Sequence, residues 1–251
     1  MEFHEEAYYL YQTQARGLLT SDSLQKQFKK LAIWYGARLR HYLPDSKTAR
    51  CLDLPCGYGN FLYFLRSRGY KNIKGIDLDA NQIKLAKMLS LPVEEGDVFN
   101  YLSSDNSAYD CISSLDFIEH LNKDDALRFL ELSFLKLKPG GVLILRAPCG
   151  DGPFGAHDAW NDLTHKWGMT SNLIRALLEM NGFERVVTLD ERPQPTGIIE
   201  ILRWLVFFPS KVCASAMCIG LGLRPPTIWT RSMICIGFKA HVAFRGQDEK
   251  P

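Results

Sequence analysis

The chain has 251 residues, a net charge of +2 and 46% hydrophobic residues, enough apolar content for one α/β domain with a large core. The near-balanced charge argues against a nucleic-acid binder and against an acidic interaction tail. Seven cysteines are scattered without a C-x-x-C pair, which fits reduced thiols in a cytoplasmic protein and not a disulfide scaffold. The first residues, MEFHEEAYYL, lack the charged-then-apolar order of a signal segment. No uninterrupted apolar run reaches the ~18 residues of a membrane span.

Residues 4–43 read as helices. They open with an aromatic cluster of Tyr8, Tyr9 and Tyr11, and Leu24, Phe28, Leu31, Tyr35 and Leu39 follow at helical spacing. Packing on the edge of a core is the preferred reading of this segment; a lid over a ligand is the functional one. Residues 1–47 are therefore set apart as a helical lid or extension, and 48–251 as the main domain. Strand and helix signals then alternate: strand 50–54, helix 60–68, strand 73–78, helix 80–89, a short strand around Val93, strand 109–114 and helix 123–137. A turn at Lys138-Pro139-Gly140-Gly141 leads into strand 141–147. Such alternation predicts a parallel sheet with helices on both faces. Ligands of these sheets sit at the carboxyl ends of the strands, near the switch in strand order. Asp53, Asp77, Asp97, Ser114 and Pro148 mark those ends.

The first strand runs into Asp53-Leu54-Pro55-Cys56-Gly57-Tyr58-Gly59, which opens a helix. Backbone N–H groups and the positive end of a helix dipole face a ligand there. Gly57 and Gly59 allow a close approach to the main chain. Asp77, at the end of the second strand, is placed to accept the hydroxyl hydrogens of a ribose. Asp97 is placed to accept an exocyclic amino hydrogen of adenine, with Val98 against the ring.

LDLPCGYGNF, GIDLD, EEGDVF, YDCISSLDFIEHL and LKPGGVLIL stand in the order and approximate spacing of class I S-adenosylmethionine-dependent methyltransferases. The resemblance spans about residues 48–190. It implies a Rossmann-like fold with a mostly parallel seven-stranded sheet and helices on both faces. Pro55 replaces the first glycine of the family's usual D-x-G-x-G-x-G, fixing one φ and removing one donor. The resemblance assigns the Asp53–Gly59 turn, with Pro55, Gly57 and Gly59, to the methionine part of S-adenosylmethionine. It assigns Asp77 to the ribose, Asp97 and Val98 to the adenine and Leu115 to the region near the sulfonium, with Leu78, Ser114 and His120 as further cofactor-binding candidates. His120 has an alternative reading as a structural histidine bonded within its own helix.

After the fifth strand, residues 147–170 form a long Gly-rich loop with two His, three Asp and two Trp. Methyl transfer to a hydroxyl needs a proton acceptor. His165 is the first choice, with Asp162 orienting it or binding a sugar hydroxyl; His157 with Asp158 is the second. Trp160 offers a flat wall to a sugar face. Asp162-Leu163-Thr164-His165 also reads as local capping hydrogen bonds. His157, Asp158, Asp162 and His165 have metal-ligand chemistry but no compact spacing, so no metal is assigned. Thr170 or Ser171 then starts a helix that ends at Asn181-Gly182-Phe183.

The proline-bearing first motif, the Ala-Pro strand end and the D-L-T-H segment resemble methyltransferases encoded with bacterial surface-glycan synthesis. That implies a sugar-containing acceptor or another hydroxylated one, on a lipid-linked glycan, and no nucleic acid. Two other functions stay open: methylation of a quinone-like or phenolic small molecule, and a non-catalytic cofactor-binding subunit.

Strand 185–190 and a seventh strand within 228–242 form the expected antiparallel pair, and an apolar helical insertion at about 194–226 separates them. Pro209-Ser210-Lys211 is expected to break this insertion into two helices. Core packing, a homodimer surface through 198–223, and an interfacial position on a membrane compete for it. The expected location is cytoplasmic, peripheral on the inner face of the membrane if the insertion binds lipid.

Overall fold

A computed structural model describes residues 20–152, 155–160, 162–193 and 197–240. Tyr8, Tyr9, Tyr11 and the 245–251 tail lie outside them.

Helix α1 (Ser21–Leu39) begins at a capping box: Thr20 Oγ1 accepts from Ser23 N at 3.2 Å and Ser23 Oγ accepts from Thr20 N at 3.0 Å. Its buried face of Leu24, Phe28, Tyr35 and Leu39 joins the core formed by α2 and one face of the sheet. The succession is then β1 (Arg50–Asp53), α2 (Asn60–Ser67), β2 (Asn72–Asp77), α3 (Ala80–Met88), β3 (Val93–Glu95), α4 (Val98–Ser104), β4 (Tyr109–Leu115), a 3-10 turn (Ile118–His120), α5 (Lys123–Lys136) and β5 (Leu137–Pro148). It continues with α6 (Gly155–Trp160), α7 (Ser171–Met180), β6 (Arg185–Asp190), α8 (Ile198–Gly220) and β7 (Ser232–Phe238). One seven-stranded sheet results, in the order β3-β2-β1-β4-β5-β7-β6, with only β7 antiparallel to its neighbours. The strand order reverses between β1 and β4, so the crevice at their carboxyl ends is where a ligand sits. The expected fold class holds, including the antiparallel pairing of the last two strands.

Three local expectations need correction. The Lys138–Gly141 turn is drawn into β5, where the register shifts between Tyr109↔Leu137 and Cys111↔Val142 and the extra residues bulge, with Gly140 at φ +77°. Helix α4 was not anticipated. Its Val, Phe, Asn and Tyr are poor helix formers, but Asp97 caps it by accepting from Asn100 N at 2.8 Å, and Val98 and Leu102 bury one face. Residues 198–220 form one helix and not two. Pro209 removes a single backbone donor at a cost of about 3 kcal/mol, while its φ suits a helix and nothing else in the stretch redirects the chain.

Helix α8 also settles one of the three readings of the insertion. None of its side chains is buried, so packing in the core is excluded. Phe207, Lys211 and Ala214 are half-buried along one side, while Leu202, Leu205, Val206, Val212, Met217 and Ile219 face solvent.

Candidate active site

The crevice is built first from main chain. Leu54–Pro55 is a cis peptide, and Gly57 and Gly59 follow with φ of +52° and +85°, a region that costs other residues energy. A side chain on Gly57 would meet no atom within 4 Å, so open space lies above the turn. At Gly59 a Cβ would lie 2.5 Å from Leu91 and 3.3 Å from Ala86, so the turn also packs closely against α3 and the loop after it. Asp77 locks the turn: its Oδ2 accepts from Gly57 N at 2.7 Å and its Oδ1 from Asp79 N at 2.9 Å. Asp53 is 1% exposed and accepts from Ser113 Oγ at 2.6 Å. Burial pushes its carboxyl up to about 7, against the Ser113 bond and with the help of the Asp77 charge. Ser114 Oγ is buried with no hydrogen-bond partner. Leu78 is exposed beside Asp77, Leu115 is half-buried, and Val98 turns into the core.

Helix α1 reaches this turn as well. Gln27 Nε2 donates to Tyr58 Oη, and Tyr35 Oη donates to Asn60 Oδ1, each at 3.3 Å. Tyr35 is buried, which raises its phenol far above the usual range. It is a neutral prop for the turn.

The second half of the site is a seam between the Ile118–His120 turn and residues 162–167. Lys166 N donates to the carbonyl of Glu119 at 2.8 Å, and Trp167 Nε1 to that of Leu121 at 3.0 Å. Asp162 Oδ1 accepts from Thr164 N and Thr164 Oγ1 at 2.8 and 2.7 Å. Thr164 Oγ1 meets His120 Nδ1 at 2.8 Å. A hydroxyl donates one hydrogen. With that hydrogen on Asp162, His120 carries its proton on Nδ1 and leaves Nε2 as a base or ligand atom. The His120 and His165 rings stand edge to face with centroids 4.8 Å apart. Burial, and then the His165 charge, push His120 below its ordinary value. Burial also presses on Asp162, but the Thr164 bonds outweigh it and hold the carboxyl low. Glu119 is 2% exposed with Oε2 unpartnered, and burial, followed by the Asp116 charge, raises its carboxyl well above the usual range.

Asp116 joins this seam to the next wall. It pairs with Arg146, whose guanidinium also binds Glu191 Oε1 at 2.6 Å and Oε2 at 3.0 Å. Arg146 and Glu191 line a cavity of about 430 Å³, closed by Phe207 and Lys211 of α8 and by Trp229 and Arg231. Phe207 and Ala214 make its α8 wall partly apolar beside Lys211, and on the sheet side the Arg146 charge is matched by Glu191 and Asp116.

The structure thus gathers Asp53, Pro55, Gly57, Gly59, Asp77, Leu78, Asp97, Ser114 and Leu115 at or next to the expected strand ends. Asp97 spends one oxygen on capping α4. His120 stands at the seam, on the turn that follows β4. Its bond is to Thr164, across the seam and not within its own turn. Asp162 makes the expected local bonds, and these direct it through Thr164 to His120. His157 is exposed on the unanticipated helix α6, and so is Trp160; the side chain of Asp158 lies outside the described residues. Sequence reasoning gave no role to Thr164, Arg146 or Glu191. The first of these lay within reach, since Thr follows Asp by two residues, the spacing of a local side-chain turn.

A glycine turn after β1, acidic groups at the next strand ends and a terminal antiparallel β7 define a class I methyltransferase domain. The chain belongs to the methyltransferase-domain family, whose model matches residues 24–188. S-adenosylmethionine is the cofactor of this domain, and the open space over Gly57 and the unpartnered Ser114 hydroxyl fit it. In Archaeoglobus fulgidus, an S-adenosylmethionine-dependent methyltransferase of solved structure aligns with a TM-score of 0.63 at 24% identity, over 86% of this chain and 98% of that one. A possible histamine N-methyltransferase of Thermotoga maritima aligns with a TM-score of 0.56 at 17% identity, over 84% and 90% of the two chains. Among curated proteins, the sphingolipid C9-methyltransferase of Candida albicans is 27% identical over 137 residues, which are 50% of this chain and 26% of that protein. The chain therefore matches about a quarter of that relative's length.

Proposed function

We propose that the protein transfers the methyl group of S-adenosylmethionine to a hydroxyl of a saccharide-bearing, lipid-linked acceptor at a membrane surface. The observation that carries the lipid part is α8: 23 residues, roughly 35 Å at 1.5 Å per residue, with no buried side chain. It is apolar and long enough to cross a membrane by length and composition. Phe207, Lys211 and Ala214, however, close the cavity against Trp229 and Arg231, so the helix lies along the domain. An apolar helix held in that way suits the interface plane, with the exposed Leu205, Val206, Val212 and Ile219 toward the acyl chains. The Candida relative acts on a sphingolipid, as its name states.

Asp53, Asp77 and the glycine turn hold and orient the cofactor, which supplies an electrophilic methyl on a sulfonium. His165 takes the proton of the acceptor hydroxyl as its oxygen bonds to the methyl carbon and the carbon–sulfur electron pair returns to sulfur. The Asp162–Thr164–His120 chain fixes the seam in which His165 stands. Arg146, Lys211 and Arg231 would orient a phosphate-bearing acceptor beside it. Incubation with methyl-labelled cofactor and a fractionated bacterial lipid extract tests this reading. Label is expected in an amphiphilic, glycan-bearing fraction, and its appearance only in water-soluble small molecules would refute the acceptor.

A further inference from the structure

The geometry points to a divalent transition-metal site formed by Glu119, His120 and His165. Each offers one ligand atom, and these atoms lie within 4.8 Å of one another. The three come from both sides of the seam, so the set exists only in the folded domain. Glu119 supplies the second, independent observation. Its side chain is almost wholly buried, yet Oε2 has no hydrogen-bond partner among the described residues. A buried polar atom without a partner is costly and rare, and a cation removes that cost.

The surroundings match what orients metal ligands. A ligating imidazole usually gives its other ring N–H to a polar group, which fixes its tautomer. His120 does so through Nδ1 to Thr164 Oγ1, and Thr164 passes its own hydrogen to Asp162. With Nδ1 on Thr164, Nε2 is the ring atom that His120 would offer to the cation. Two imidazoles and one carboxylate suit zinc, manganese, iron or cobalt better than magnesium or calcium. Tetrahedral ligands at about 2.1 Å stand roughly 3.4 Å apart, so ligand atoms up to 4.8 Å apart must close by as much as about 1.4 Å on binding. Three protein ligands leave a coordination position open. The acceptor hydroxyl fits that position, where the cation lowers its pKa. With the cation bound, its lowering of the hydroxyl pKa replaces the proton transfer to His165 described above, and the proton leaves to solvent. This chemical role rests on the proposed hydroxyl methylation; metal binding itself does not.

The test is binding of Co²⁺ alone to the chelator-stripped full chain, read by visible absorption and calorimetry. One equivalent is expected, with d–d bands of nitrogen and oxygen ligation and without the intense charge-transfer band of a thiolate. Glu119→Gln and His165→Asn should each weaken binding at least tenfold, while S-adenosylhomocysteine affinity, the check on folding, stays within about twofold. No stoichiometric binding, thiolate spectra, or binding that both variants leave unchanged would overturn the site. If Co²⁺ does not bind but His165→Asn still removes methylation, the metal fails and His165 stands as the base. If Co²⁺ binds as described while no hydroxylated acceptor is labelled, the site stands and the proposed function falls.

Discussion

The two halves of the crevice are held in different ways. From β1 to β4, position is set by main chain: two glycines at positive φ, and Asp77 bonded to Gly57 N and Asp79 N. Beyond β5, position is set by side chains reaching across gaps, as in the Asp162–Thr164–His120 chain and the Asp116–Arg146–Glu191 bridge. Backbone-built sites tolerate little variation in ligand, whereas side-chain seams can be re-cut for another acceptor without disturbing the turn. The exposed α8 belongs to the second half and carries the same freedom further.

Substitutions should separate the halves. The largest effect is expected from His165→Ala, with turnover reduced by about 10²–10⁴-fold and S-adenosylhomocysteine affinity nearly unchanged by calorimetry. Asp77→Ala should do the reverse, because it removes both the proposed ribose acceptor and the lock on Gly57. Calorimetry should then record a loss of cofactor affinity of about 100-fold, the equivalent of ~3 kcal/mol. If Asp77→Ala leaves cofactor affinity intact, the backbone-built half is not the cofactor site. Next comes α8: the double change Leu205→Glu and Ile219→Glu should lower flotation with anionic liposomes by about tenfold, without altering cofactor affinity. Persistent flotation would remove the membrane from the account, and a loss of dimers in light scattering would point to a second copy of the chain.

The smallest effect concerns Asp53. Its carboxyl is raised to about 7 in the fold, by burial first. Between its ordinary value and about 7 it is protonated in the folded state and ionised in the unfolded one. Its favourable contribution to stability is therefore fullest at low pH and is lost as pH rises through about 7. Asp53→Asn should raise the melting temperature of the cofactor-free protein at pH 8, on the order of 5 °C, and much less at pH 4. If Asp53 as a carboxylate holds the methionine part of the cofactor, wild-type affinity for S-adenosylhomocysteine should weaken several-fold from pH 8 to pH 6, as that charge is neutralised. A flat pH profile would show that Asp53 is structural only.

The same contrast explains what the sequence revealed. Asp53, Asp77 and Asp97 were legible because an α/β chain puts its strand ends at fixed intervals, and an acidic residue at such an end has few other uses. Helix α4 was not legible, because its residues favour strands and only the Asp97 cap and the burial of Val98 and Leu102 hold it. Pro209 read as a break because a lost hydrogen bond is visible in sequence, while the absence of any competing turn is not. The bond of His120 to Thr164 was not legible for a similar reason. Its partner Thr164 lies 44 residues away, and pairing across the seam depends on how the loop after β5 folds back. Nothing in the sequence marks Glu119, whose burial beside two imidazoles comes from the fold.

The most direct test of the central claim is methyl transfer itself. With labelled S-adenosylmethionine and membranes from a bacterium that carries the protein, the account predicts alkali-stable label on a hydroxyl of a lipid-linked glycan. That label should vanish with His165→Ala and fall with the double change in α8. Label on protein, on nucleic acid or on a freely soluble small molecule, independent of α8, would contradict it.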